Sequence, residues 1–172
     1  MIVRSGPGVL HLITQPDHAA LARRIMEHWS SLAKAERRRD ILAAIEHHDR
    51  GWAEPDAAVS VDPATATIRD FVAVPADVRQ SVWPRSVAAL APAPWAAALV
   101  AHHAVTVYDR YRQDAAWHDF FPAMTARRDE HLARATAPQS LGPWTIRLTG
   151  AQVQVTPNPF AIEGLMAVSS VH

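Results

Sequence analysis

Glu46-His47-His48-Asp49-Arg50-Gly51-Trp52 decides how this chain is read. It follows the apolar stripe Ile41, Leu42 and Ile45, whose spacing predicts a helix ending at the motif. Gly51 stands where a helix can end in a left-handed cap. Adjacent His48 and Asp49 offer an imidazole and a carboxylate side by side, a pair suited to Zn, Fe, Mn or Ni. A His-Asp dipeptide alone carries little, so the case rests on the rest of the chain.

Working back toward the N-terminus, Thr14-Gln15-Pro16-Asp17 reads as a helix start. Thr14 is placed to cap, Pro16 falls in the first turn, and Asp17 suits the positive end of the dipole. Leu21, Ile25 and Trp29 follow at roughly helical spacing and predict a face packed on a core. His18 lies near that face, either as a capping or core histidine or as a ligand. It precedes His48 by 30 residues. Two helices with a short connection return the chain antiparallel, which brings first-turn His18 near last-turn His48. His47, one position off, points elsewhere. Before these helices, Ile2-Val3 and Leu10–Ile13, split by Ser5-Gly6-Pro7-Gly8, read as a short hairpin. Arg37, Arg38 and Arg39 read as a solvated face, with anion binding as the alternative.

Beyond Trp52, residues 53–74 form a long segment of low periodicity holding Asp56, Asp62 and Asp70. It reads as a lid, a pocket wall or a solvated connector, and its aspartates are further candidate ligands. A helix over 76–90 follows, with Val78, Val82, Val87 and Leu90 as core and Pro84 as a kink or break. The next, 95–112, is strongly apolar at its start and carries His102 and His103, of which only one can face a site. The last, 116–135, has Phe120, Phe121, Met124 and Leu132 on its apolar side, with Pro122 marking a bend or the true start. The tail then alternates, at Trp144–Leu148 and Val153–Thr156, as strands do.

The 172 residues suit one domain, with a helical core over about 15–137 and a small C-terminal antiparallel β element over about 144–171. There is no cysteine, which excludes disulfides, thiolate metal sites and cysteine nucleophiles. Lys34 is the only lysine and sits in a polar segment, which argues against Schiff-base chemistry. Net charge is zero and basic residues are dispersed, so nucleic acid is not an expected partner. No run of 18 apolar residues and no signal-peptide pattern occurs, so the expectation is a cytoplasmic protein without a membrane partner. The Ala-rich, Lys-poor composition fits a bacterial genome of high GC content.

The order His-Asp-x-Gly after an apolar helix resembles the centre of the HD superfamily of metal-dependent hydrolases. Leu12–Ala22 and Ala44–Trp52 resemble motifs of a bacterial family, domain-of-unknown-function family 3891. Asp62-Pro63, Asp70-Phe71, Leu99–His103 with Tyr108, and Val155–Phe160 fit the same pattern. The resemblance implies a mainly α fold, an HD-like core of about five helices with a short N-terminal hairpin and C-terminal strands. It implies His18, His48, Asp49 and His103 as metal or active-site residues. The family pattern also has a later helix with an aspartate. Asp129 is the only nearby candidate, in an Arg-Arg-Asp-Glu-His setting that departs from that pattern.

The function expected is hydrolysis of a phosphate ester by a bound divalent Fe, Mn, Ni or Zn ion, which acidifies water and polarises the phosphoryl oxygen. His103 serves as ligand or general acid, and Arg50 or Arg110 neutralises phosphate charge. Di-iron oxygenation is a related reading that needs more ligands than the chain offers. The alternative class is a non-catalytic domain that binds a small ligand or associates with itself as a homodimer.

Overall fold

Thr14 sets the first helix, as its position in the sequence requires. Its hydroxyl oxygen accepts the Asp17 backbone N–H at 3.1 Å and donates to the Asp17 carboxylate at 2.7 Å. The computed structural model describes residues 1–35 and 37–135, with the backbone of Thr145–Thr149, Gln152–Thr156 and Val168–Ser170. Before Thr14, β1 (Ile2–Gly6) and β2 (Val9–Ile13) form the expected antiparallel hairpin, in register from Ile2↔Ile13 to Gly6↔Val9. Its turn needs Gly8, which takes φ 71° after Pro7, a pairing typical of a type II turn.

Among the described residues the architecture is mainly helical. Helix α1 (Gln15–Glu27), a short α2 (Ser30–Ala33) and α3 (Arg38–His47) are followed by α4 (Ala76–Ala89), α5 (Pro94–Val107) and α6 (Phe120–Arg134). α5 is central. Ala96, Ala97, Ala98, Val100, Ala101 and Ala104 are all buried, and a helix apolar on most sides is one enclosed by others. Its small side chains admit α3, α4 and α6 around it. One apolar cluster joins Trp52, Val82, Val87, Val100, Tyr108 and Trp117; another joins Trp29, Leu32, Ile41, Leu42 and Trp95, and Leu99 packs on both.

Four expectations are corrected. Leu21 and Ile25 do not pack on the core: they are 57 % and 47 % exposed. α1 instead turns Gln15 and Ala19 inward. The buried Asp56 carboxylate holds the Gln15 N–H at 2.6 Å, and Ala19 is small enough to let α3 approach. Pro84 neither breaks nor interrupts α4, which runs 14 residues through it; the proline removes one helical N–H, and the packing of Val82 and Val87 holds the helix across the gap. α5 stops at Val107, not Arg112, and a 3-10 turn over Asp109–Tyr111 follows. Gly51 has no left-handed φ; among the described residues Gly8 alone of the glycines does. Pro122 sits in the first turn of α6, where a missing N–H costs nothing, so it marks the start and not a bend.

Residues 53–74 act as a tie. Asp56 also pairs with the Met1 amino group, Asp70 accepts the Val3 N–H at 3.0 Å, and Phe71 packs edge-on to Trp52 at 6.2 Å. Asp62 closes its own turn through the Ala64 N–H and pairs with Arg69. These aspartates thus hold backbone and arginine groups of the N-terminal region and the loop itself. The three C-terminal backbone segments pair antiparallel with one another. The rest of residues 136–172, where most of the expected C-terminal β element falls, lies outside the described residues. No helix among the described residues is long and apolar enough to cross a membrane.

Candidate metal centre

The end of α3 builds the site. His48 keeps helical angles (φ −58°, ψ −34°) as the C-cap, and Asp49 then turns the chain (φ −100°, ψ 11°) into a 3-10 turn over Arg50–Trp52. The turn sets the two side chains against each other, with His48 Nε2 3.0 Å from Asp49 Oδ2. His48 Nδ1 lies 2.7 Å from the Ile45 carbonyl, an acceptor only, so Nδ1 carries the proton and donates. That leaves Nε2 as the atom facing Asp49. Asp49 as a whole residue is 5 % exposed.

Other elements close around this pair. The antiparallel return of α1 on α3 brings His18 in, its ring centroid 6.0 Å from that of His48. From α5, His103 stands edge-on to His48 at 5.4 Å, with Trp83 of α4 at 5.5 Å behind it. The ligand atoms of His18, His48 and Asp49 lie within 4.8 Å of one another. His103 adjoins this triad through its ring contact with His48. His102 does not share the face: it is exposed and near Arg128.

Gly51 makes the turn fit. A Cβ there would lie 1.9 Å from the Val82 carbonyl oxygen, so only glycine allows the turn to seat on α4. Its N–H donates to the fully buried Ser86 hydroxyl at 2.8 Å. Trp83 and Ser86, which support the site, were not legible as such. With Val82 and Val87 they form the inner stripe of α4, but Pro84 in their midst obscured the helical spacing.

Protonation is divided among the histidines. Burial alone would push His48 down, but the hydrogen bond and charge of Asp49, with the Ile45 carbonyl, outweigh it and hold the imidazole above 6.5. His103 is pushed down to about 4, mainly by burial and then by neighbouring His48. Burial also lowers His18, against the pull of Asp49.

The donor set suits a divalent ion. Two ligands about 2.1 Å from one ion lie roughly 3.0–3.4 Å apart at right or tetrahedral angles. The 3.0 Å His48–Asp49 edge already has that spacing. The exposed His18 is the arm with freedom to adjust. Neutral imidazole and carboxylate without thiolate match Zn, Fe, Mn or Ni.

Of the remaining candidates, Arg50 is exposed beside Asp49 and has no hydrogen-bond or ion-pair partner among the described residues. Arg110 lies over the Tyr111 ring at 4.8 Å, so its guanidinium is engaged there. Asp129 pairs with Arg128 at 2.8 Å on the exposed side of α6 and does not join the triad.

These protonation states make the metal-free protein acid-sensitive. A histidine held below 6.5 in the folded state contributes stability that is full above 6.5 and lost as pH falls through the folded value. For His103, with a folded value of about 4, the loss amounts to about 3 kcal/mol between pH 6.5 and 4. His48 acts oppositely: its pairing is full below 6.5 and fades as pH rises past its elevated value. Urea midpoints of the metal-free protein should therefore fall steeply below pH 6.5, and His103→Gln should flatten that slope. A wild-type midpoint unchanged from pH 7 to 4.5 would contradict a neutral, partly buried His103.

No curated protein matches the chain, and no solved structure does. A family model described as protein of unknown function, DUF3891, matches residues 1–141, a span that includes the hairpin, the six helices of the described residues and every residue of the triad. The chain belongs to that family.

Proposed function

We propose that the protein is a divalent-metal-dependent hydrolase of the HD type, acting on a phosphate ester. The observation that carries this reading is the convergence of His18, His48 and Asp49 from two helices and a turn, with His48 Nε2 and Asp49 Oδ2 already 3.0 Å apart. When bound, the ion would supply Lewis acidity toward a phosphoryl oxygen and an acidified water. His18, His48 and Asp49 would hold it.

The chain's own groups support that chemistry. Ile45 fixes the His48 tautomer so that Nε2 faces the site, the second-sphere role common around metal-bound histidine. Trp83 and the core behind it keep water from the inner side of His103. His103 is neutral near pH 7, so it fits a ligand or a proton acceptor better than a general acid. Arg50, exposed, next in sequence to Asp49 and without an acidic partner among the described residues, is the cation available to meet a phosphate.

One observation favours a second reading, a non-catalytic domain that binds a small ligand. Among the described residues the triad gathers Asp49 as its sole carboxylate. Assays on para-nitrophenyl phosphate and its diester, with metal-free protein reconstituted with Mn, Fe, Ni or Zn, separate the two. The hydrolase reading expects turnover with at least one metal. Protein that holds the metal and yet turns over neither ester would favour the binding domain.

A further inference from the structure

Among the described residues, the N-terminal hairpin leaves one edge unpaired. β1 is covered on its outer side, where the Val3 N–H donates to Asp70 and the Phe71 N–H to the Met1 carbonyl at 2.8 Å. β2 pairs with β1 and has no hydrogen-bond partner on its other edge among the described residues. All five of its residues are exposed, Leu10 by 53 % and Val9 by 51 %. Apolar edge strands normally carry a guard such as lysine, proline or a bulge. Val9-Leu10-His11-Leu12-Ile13 has none.

Two properties of this edge select its partner. The connection Pro7-Gly8 makes Gly6↔Val9 the closing hydrogen-bonded pair, and bonded and non-bonded pairs then alternate along the ladder. Val9, His11 and Ile13 therefore turn their backbone groups to β1, and Leu10 and Leu12 turn theirs to the bare edge. The side-chain order, in turn, is symmetric about His11: leucine on either side, then a β-branched residue at each end. Antiparallel self-pairing about a twofold axis at His11 sets Leu10 opposite Leu12 of the partner subunit and Val9 opposite Ile13 of the partner subunit. The residues that this register must bond, Leu10 and Leu12, are the ones whose backbone groups face outward. Backbone and side chains thus agree on one axis, the self-complementarity that a twofold contact requires.

We propose that the protein forms a twofold dimer by antiparallel pairing of β2 with β2 of a second copy, joining the two hairpins into one four-stranded sheet. The contact is short, so it falls in the size class below about 1,200 Å² where transient associations lie. It does not depend on the metal reading.

The chain has no cysteine, so single cysteines report the register. The His11 pair at the axis is non-hydrogen-bonded, with a Cα separation of about 4.5 Å, inside the roughly 4.4–6.8 Å range of disulfides. At about 50 µM the full chain should sediment near twice 18.9 kDa. His11→Cys should form a disulfide-linked dimer at least about ten times faster than Ile13→Cys under the same oxidant. Leu12→Lys should give a monomer of unchanged helix content. A monomeric wild type at that concentration, or equal cross-linking of the two cysteine variants, would overturn the proposal. A monomer whose Leu10 and Leu12 amides resist hydrogen exchange would also overturn it, since the edge would then be covered within one chain.

Discussion

Gly51→Ala should unfold the protein or cost it about 3–5 kcal/mol, the range reserved for core defects that cannot relax. The added methyl would sit 1.9 Å from the Val82 carbonyl oxygen and 2.7 Å from the carbonyl carbon. Both belong to the backbone of α4, so no side-chain rotation removes the clash. Relief requires the turn over Arg50–Trp52 to lift from α4, which breaks the Gly51 N–H bond to buried Ser86 and withdraws Trp52 from the core. For a domain of this size, a loss of that magnitude lowers the melting temperature by roughly 10 °C. Asp49, two residues earlier, moves with the turn, so metal uptake should weaken as well. A Gly51→Ala protein that melts within about 2 °C of wild type would show that the turn does not seat on α4 as described.

Asp49→Asn should abolish the proposed chemistry while leaving the fold. The substitution keeps shape but removes the charge and one ligand oxygen from a nearly buried position. Loss of an outer-sphere partner already costs about 10–100-fold in metal affinity or activity, and a direct ligand costs more. Hydrolysis should thus fall by at least about 100-fold, with helix content unchanged. A second readout separates a charge effect from a packing effect. Asp49 is the group that lifts His48 above 6.5 against burial. In the metal-free variant the His48 imidazole should therefore titrate below its wild-type value by NMR. An Asp49→Asn protein with wild-type turnover, or with an unmoved His48 titration, would remove Asp49 from the site.

Much of the helical arrangement was legible because capping and spacing act locally. Thr14, Asp17 and Pro16 fixed the start of α1, and the distance from His18 to His48 required the antiparallel return that brings them together. The rotation of α1 was not legible. Leu21 and Ile25 look like a core stripe, yet Asp56, reached 41 residues later, turns Gln15 inward instead. Gly51 reads locally as a helix-ending glycine; its role is the close approach of α4, a tertiary fact that no window around Gly51 contains. Trp83 and Ser86 were hidden for the same reason as the continuity of α4, since Pro84 suggests a break that tertiary packing overrides. Arg110 falls inside the helix expected to run to Arg112; the helix instead ends at Val107, and the 3-10 turn lays its guanidinium over Tyr111.

Elemental analysis of the purified full chain, with the His48→Ala, Asp49→Ala double variant beside it, reads directly whether His18, His48 and Asp49 hold a metal ion. The wild-type chain should hold close to one Fe, Mn, Ni or Zn ion, lost in a variant that retains its helix content. A wild type that is folded, free of metal and unable to take up any of these ions when supplied would contradict the metal reading.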